Sequence, residues 1–234
     1  MTTGPLQHSN EQAAIWPMYR ALVGVGTLCG LLIVTVFVVT LPIIERNQAE
    51  ALQRAVLQVL PGAVSKQSFA LDAAGRFRTV RAGDSPAQTV HAGYDGQGAL
   101  VGVAIQGEGM GYQDVIRILY GYAPQPQVII GMQVLASKET PGLGDKIEKD
   151  AGFLSNFLAL DVSLEEGGGS IANQLQAVKQ GEKTQPWQID GITGATISSK
   201  AIAGILAQGS QYWVPLIHAQ REFFEQAGVA DERL

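Results

Sequence analysis

The sequence predicts an α+β fold: a mostly antiparallel sheet with packed helices, preceded by a single N-terminal transmembrane helix. Three observations predict it. A long apolar run without charge lies near the N-terminus. Residues 66–136 alternate β-rich segments with turn residues. After residue 150 apolar side chains return at helical spacing.

Residues 1–20 read as a short polar tail. Residues 21–44, ALVGVGTLCGLLIVTVFVVTLPII, carry no charge between Arg20 and Glu45. At ~1.5 Å per residue this run reaches roughly 36 Å, against about 30 Å of bilayer hydrocarbon. A cleaved signal peptide has a shorter apolar region and a small-residue cleavage site. Leu41-Pro42-Ile43-Ile44-Glu45 is a poor one, so the run reads as a retained transmembrane helix. Arg20 precedes it and Arg46 and Arg54 follow it, so the distribution of basic residues sets no orientation. Residues 45–62 form a connecting helix, with Ala51, Leu52, Ala55, Val56, Val59 and Leu60 at helical spacing and Pro61-Gly62 as the stop.

The main domain spans 63–226. KQSFAL and RFRTVRA flank Asp72–Gly75, TVHAGY and ALVGVAIQG flank Asp95–Gly98, and DVIRILYGY and QVIIGMQVLA flank Ala123–Pro126. Strands joined by such short turns pair antiparallel. A short helix is expected over Asp150–Leu158 and a weak strand near Leu175–Val178. A helix is expected from Ile197, with Pro215 ending or kinking it. An amphipathic piece, Leu216–Gln226, leads to a polar tail, 227–234.

Composition narrows the chemistry. The one cysteine, Cys29, lies in the apolar run, so the domain has neither a disulfide nor a cysteine metal site. His8, His91 and His218 are far apart and lack metal-ligand spacing. The net charge of −5, without a Lys/Arg cluster, argues against nucleic acid as a partner.

Two loops can carry chemistry. In Ser137–Glu148, SKETPGLGDKIE, Gly142 and Gly144 flank Leu143 after an apolar strand. Glycines there permit positive φ and close approach of backbone to a ligand, although Pro and Gly also make an ordinary turn. In Asp190–Ile202, DGITGATISSKAI, the hydroxyls of Thr193 and Thr196 flank Gly194-Ala195. Small residues let a planar group lie against the backbone, and the following helix start favours a phosphate. A threonine hydroxyl there could contact that phosphate or be joined to it. The stretch also reads simply as a hydroxyl-rich helix start, with Ser198 or Ser199 as cap.

Taken together, the LPGA end of the connecting helix, the Gly107–Tyr112 turn, ETPGLGDKIE at Glu139–Glu148 and DGITGAT at Asp190–Thr196 give a chain that resembles the G subunits of Rnf electron-transport complexes. It is more distantly similar to the C subunits of sodium-pumping NADH:quinone reductases. The likeness runs from the membrane helix to about Gln211. Relatives of this kind often have His two positions before the Glu of ETPGLG, where this chain has Ser137.

The resemblance implies an FMN-binding domain with FMN held covalently, through a phosphoester to the Thr196 hydroxyl made by a separate flavin transferase from FAD. Thr193 is then a hydrogen-bonding neighbour, Gly194 and Ala195 the spacer, and Asp190 part of the pattern the transferase recognises. Glu139 and Thr140 would offer polar contacts to the flavin, and Gly142, Leu143 and Gly144 backbone and apolar ones. It further implies a single-pass protein of the bacterial inner membrane with a periplasmic domain, in contact with lipid and the other subunits of the complex. Its role would be that of an electron carrier, not catalytic alone, within an ion-translocating ferredoxin:NAD+ oxidoreductase. The alternatives are the quinone-reductase C subunit and a membrane-anchored flavin sensor or assembly module.

Overall fold

The structure, a computed structural model, describes residues 11–80 and 88–231. Residues 1–10 of the expected tail, residues 81–82 of the second expected strand and residues 232–234 lie outside them. The chain divides into two units, Met1–Glu50 and Ala51–Leu234.

The first unit consists of most of helix α1 (Glu11–Val59). Among the described residues it is the one helix long and apolar enough to cross a membrane. Leu22, Leu28, Ile33, Phe37 and Val39 are all exposed around it, as a lipid-facing helix requires. The hydroxyls of Thr35 and Thr40 donate to the carbonyls of Leu31 and Val36, at 2.7 and 2.8 Å. No polar hydrogen of these two hydroxyls is left for hydrocarbon to solvate.

The second unit is an α+β domain. Its sheet has seven strands in the order β2-β1-β3-β4-β5-β6-β7, every neighbouring pair antiparallel. They are β1 (Ser65–Leu71), β2 (Phe77–Thr79), β3 (Thr89–Tyr94), β4 (Leu100–Met110), β5 (Val115–Ala123), β6 (Val128–Ala136) and β7 (Leu160–Asp161). The three expected hairpins are all present. Asp72 and Asp95 build their turns, each carboxylate accepting two backbone N–H groups within four residues. Helix α2 (Ala151–Ser155) is capped by Asp150, whose carboxylate accepts the Phe153 N–H at 2.8 Å, and a 3-10 turn, Asn156–Leu158, completes the expected short helix.

Both faces of the sheet are covered. On β5, Ile116, Ile118, Tyr120 and Tyr122 enter the larger core, while Leu119 points to the opposite face. That alternation follows from the period of two in a strand. The opposite face receives Ala55, Val56, Val59 and Leu60 at the end of α1. Four glycines, paired as Gly93↔Gly102 and Gly121↔Gly131, make room for them. A Cβ on Gly121 would stand 2.1 Å from the Val59 carbonyl oxygen, and one on Gly131 2.7 Å from it.

Helix α3 (Thr196–Ala219) covers the larger core with Ile202, Ile205, Leu206, Val214 and Ile217. It does not end at Pro215 but runs through it to Ala219. Proline removes one backbone N–H, but Trp213, Val214 and Ile217 are buried on either side and hold the chain helical. The break falls instead at Gln220, before α4 (Arg221–Asp231), which continues past Gln226. A small parallel pair, β8 (Gln176–Val178) and β9 (Gln188–Asp190), lies before α3.

Candidate functional site

The two loops singled out in the sequence meet. The ETPGLG loop follows β6, and its turn closes by Leu143 N–H donating to the Thr140 carbonyl at 3.1 Å, with Gly142 at φ 79°. The TGAT loop follows β9 and turns at Gly194, φ 85°, into the first turn of α3. A hollow of about 310 Å³ lies between them, lined by Glu139, Thr140, Leu143 and Gly144 on one side and by Gly194 to Ser198 on the other, with Tyr112 at its edge. On the other side of Thr196 lies a larger hollow of about 600 Å³, lined by Val178, Lys179, Gln180, Thr193, Lys200 and their neighbours. Thr196 borders both, and Gly194 does too.

Thr196 is the first residue of α3 and is exposed. Its hydroxyl and that of Thr193 have no hydrogen-bond partner among the described residues, although the Thr193 N–H donates to Gln180 Oε1 at 3.1 Å. The residue before the helix is Ala195, which supplies no side-chain cap. Neither Ser198 nor Ser199 caps α3, because both lie inside it and are buried. Ser199 Oγ instead accepts the Ile192 N–H at 3.1 Å and donates to the Ala195 carbonyl at 2.9 Å, which secures the loop from within. The helix start therefore has no side-chain acceptor of its own, and its N-terminal dipole faces solvent beside Thr196.

The walls of the smaller hollow are apolar and open. Tyr112 is 66% exposed, Leu143 52% and Ile197 54%. Exposed large apolar residues grouped around a concavity mark a binding surface more often than isolated ones do. Tyr112 and Ile197 were not among the sequence candidates. Tyr112 stood in the GEGMGY turn, whereas Ile197 was read only as the start of the following helix.

Glu139 turns inward and is 6% exposed. Its Oε1 accepts the Gln113 N–H at 3.0 Å and its Oε2 accepts the Ser198 hydroxyl. Burial is the largest influence on this carboxyl and pushes its pKa up. The hydrogen bonds from Gln113 and Ser198 and from the N–H groups of Tyr112 and Asp114 outweigh it, and the group sits below the ordinary range. Thr140 donates to Gln113 Oε1 at 3.1 Å, and the Ser137 hydroxyl accepts the Glu139 N–H at 3.2 Å. Asp145 accepts the Gly142 N–H at 2.7 Å and pairs with Lys149 at 2.9 Å, which lowers its pKa and raises that of Lys149.

Asp190 lines neither hollow and orders the turn behind them. Its carboxylate accepts the Gly181 N–H at 2.7 Å. Its backbone is clasped by buried Asn156, which donates to the Asp190 carbonyl at 3.1 Å and accepts the Asp190 N–H at 3.0 Å. Asn156 carried no sequence signal, since it holds β9 from 34 residues away.

Residues 111–210 match the family described as the FMN-binding domain. The chain is similar to the G subunit of the ion-translocating oxidoreductase complex of Cereibacter sphaeroides, 32% identical over 168 residues, covering 72% of this chain and 69% of that one. The corresponding G subunit of Pseudomonas aeruginosa is 31% identical over 196 residues, covering 82% and 83%. That of Methanosarcina acetivorans is 27% identical over 206 residues, covering 87% and 96%. In fold the chain is similar to NqrC of Shewanella oneidensis, with a TM-score of 0.55 and 19% identity over 79% of this chain and 99% of that one.

Proposed function

We propose a function from one premise: the chain belongs to the family of G subunits of ion-translocating oxidoreductase complexes. It is a membrane-anchored electron-transfer subunit carrying FMN, and it works as an electron carrier within an Rnf-type ferredoxin:NAD+ oxidoreductase. Its partners are the other subunits of that complex, with lipid around α1. The domain faces the periplasm from the bacterial inner membrane.

FMN is bound covalently, through its phosphate, to Thr196. One observation carries this reading. Thr196 is an exposed hydroxyl without a partner among the described residues, at the uncapped start of a 24-residue helix, on the edge shared by two hollows. A phosphate joined there meets the positive end of the helix. Lys200 lies one turn further along the same face and lines the larger hollow, where it offers a second positive charge. The smaller hollow, with Leu143, Ile197 and Tyr112, suits an apolar planar ring system. Flavin, once bound, supplies one- and two-electron chemistry; the chain supplies position and polarity. In attachment, the Thr196 oxygen loses its proton and bonds to the phosphorus of the FMN half of FAD. The pyrophosphate P–O bond breaks and AMP leaves, within a separate flavin transferase. Thr193, with its N–H tied to Gln180, orients the loop, and Asp190 orders the Gly181 turn beside it.

Co-expression with a flavin transferase and denaturing electrophoresis tests the reading. A band fluorescent under ultraviolet light is expected, absent in Thr196→Ala and retained in Thr193→Ala. Fluorescence that survives Thr196→Ala but is lost in Thr193→Ala would move the attachment to Thr193.

A further inference from the structure

Three segments far apart in sequence close on one carboxylate. The turn after β4 brings Gly111 and Gln113, the ETPGLG loop brings Gly144, and α3 brings Ser198. A Cβ on Gly111 would lie 2.5 Å from Glu139 Oε1, and one on Gly144 2.6 Å from Oε2 and 2.7 Å from the Glu139 Cβ. Both glycines therefore leave space for this side chain. Nothing positive neutralises it, since Glu139 forms no ion pair among the described residues. Lys138, its neighbour in sequence, pairs with Asp114 at 2.8 Å, and Lys149 pairs with Asp145 at 2.9 Å. Glu139 nevertheless forms part of the lining of the smaller hollow, beside Thr196.

We propose that Glu139 is a positioning residue that fixes the Tyr112–Asp114 turn to the first turn of α3 and places a negative charge without an ion-pair partner beside the smaller hollow, making a flavin held there harder to reduce. The proposal rests on the reading that the ring system occupies this hollow. A fixed charge in a partly buried setting acts on a neighbour more strongly than it would in water. Reduction adds negative charge to the ring system, and a carboxylate beside the hollow opposes it. The backbone hydrogen bonds from Gln113, Tyr112 and Asp114 keep Glu139 ionised and maintain that opposition at neutral pH. Ser198 has the reverse effect, since its hydroxyl dipole partly offsets the carboxylate.

Potentiometric titration of the flavin-loaded, detergent-purified full chain tests this. Glu139→Gln keeps shape and acceptor for the Gln113 N–H but removes the charge, and its midpoint potential is expected to rise. Ser198→Ala keeps the charge and removes the offsetting dipole, and its midpoint is expected to fall. Opposite shifts support the proposal. An unchanged midpoint in Glu139→Gln, or shifts of the same sign in both variants, would overturn it. If Glu139→Gln does not load, Ser198→Ala decides alone: a fall supports the proposal, and a rise or no change overturns it. A wild-type chain with no flavin on Thr196 removes the parent reading as well, and the gel separates that outcome before any potential is measured.

Discussion

Of the places in this domain where glycine lets other atoms come close to the backbone, two are finished differently. Under the end of α1, Gly93, Gly102, Gly121 and Gly131 admit Val59 and Leu60, which are buried in an apolar cluster. Around Glu139, Gly111 and Gly144 admit a carboxylate, and the surroundings stay open, with Tyr112, Leu143 and Ile197 exposed and two threonine hydroxyls unpartnered among the described residues. The first arrangement is complete as it stands. The second has spare binding capacity, in apolar surface and in positive dipole, and that excess distinguishes a site from a packing contact.

The sharpest way to break the comparison is on the closed side. In Gly121→Ala the new methyl meets a backbone carbonyl that cannot rotate away, at 2.1 Å. Loss of about 3 kcal/mol or more, at or beyond the upper end for overpacking, is expected in chemical denaturation. A variant as stable as wild type would contradict the packing of the Val59 carbonyl against Gly121.

Acid separates the two regions next. His91 is buried on β3, with Nδ1 2.8 Å from the Ser68 hydroxyl. Burial, and secondarily the charge of Lys66, lowers its pKa to about 4. The unfolded chain binds this proton near pH 6.5 and the folded chain does not, so stability is full above that pH and declines toward pH 4. The loss is roughly 3 kcal/mol across that window. Glu139 also favours higher pH, but its contribution is lost only below the ordinary carboxylate range, because its folded pKa is depressed. His91→Gln is expected to flatten the denaturation midpoint between about pH 6.5 and 4, and Glu139→Gln to leave that slope in place.

Smaller effects belong to the open side. Gly144→Ala meets the Glu139 carboxylate, which can shift, and the Glu139 Cβ at 2.7 Å, which can move only with its backbone, so about 1–3 kcal/mol is expected, with weaker flavin loading on the gel. Leu143→Ala and Ile197→Ala are expected to change stability by under about 0.5 kcal/mol while altering the visible spectrum of the bound flavin. An unaltered spectrum in both would take the ring system out of the smaller hollow.

The strands legible from sequence were those in β-rich segments joined by short turns, at Asp72–Gly75, Asp95–Gly98 and Ala123–Pro126. β7 and β9 were not: two or three residues have no period, no hairpin turn marks them as one marks the equally short β2, and they form through pairing with β6 and β8. α3 read clearly from Ile202, Ile205 and Leu206, but its passage through Pro215 depended on buried Trp213 and Ile217. In the site, the glycines and threonines announced two loops, yet nothing local tells Glu139 to turn inward. That requires Gly111 and Ser198, which only the fold brings together. The serine caps failed for a related reason: α3 begins at Thr196, earlier than capping preference alone would place it.

The central claim is that the open side carries flavin on one hydroxyl. Trypsin cuts after Lys183 and Lys200 and so releases Thr184–Lys200, which holds both threonines of the TGAT loop. Fragment-ion mass spectrometry of that peptide, from chain matured with its transferase, is expected to find the mass of FMN less one water on Thr196. An unmodified peptide, or the added mass on Thr193, would contradict the account.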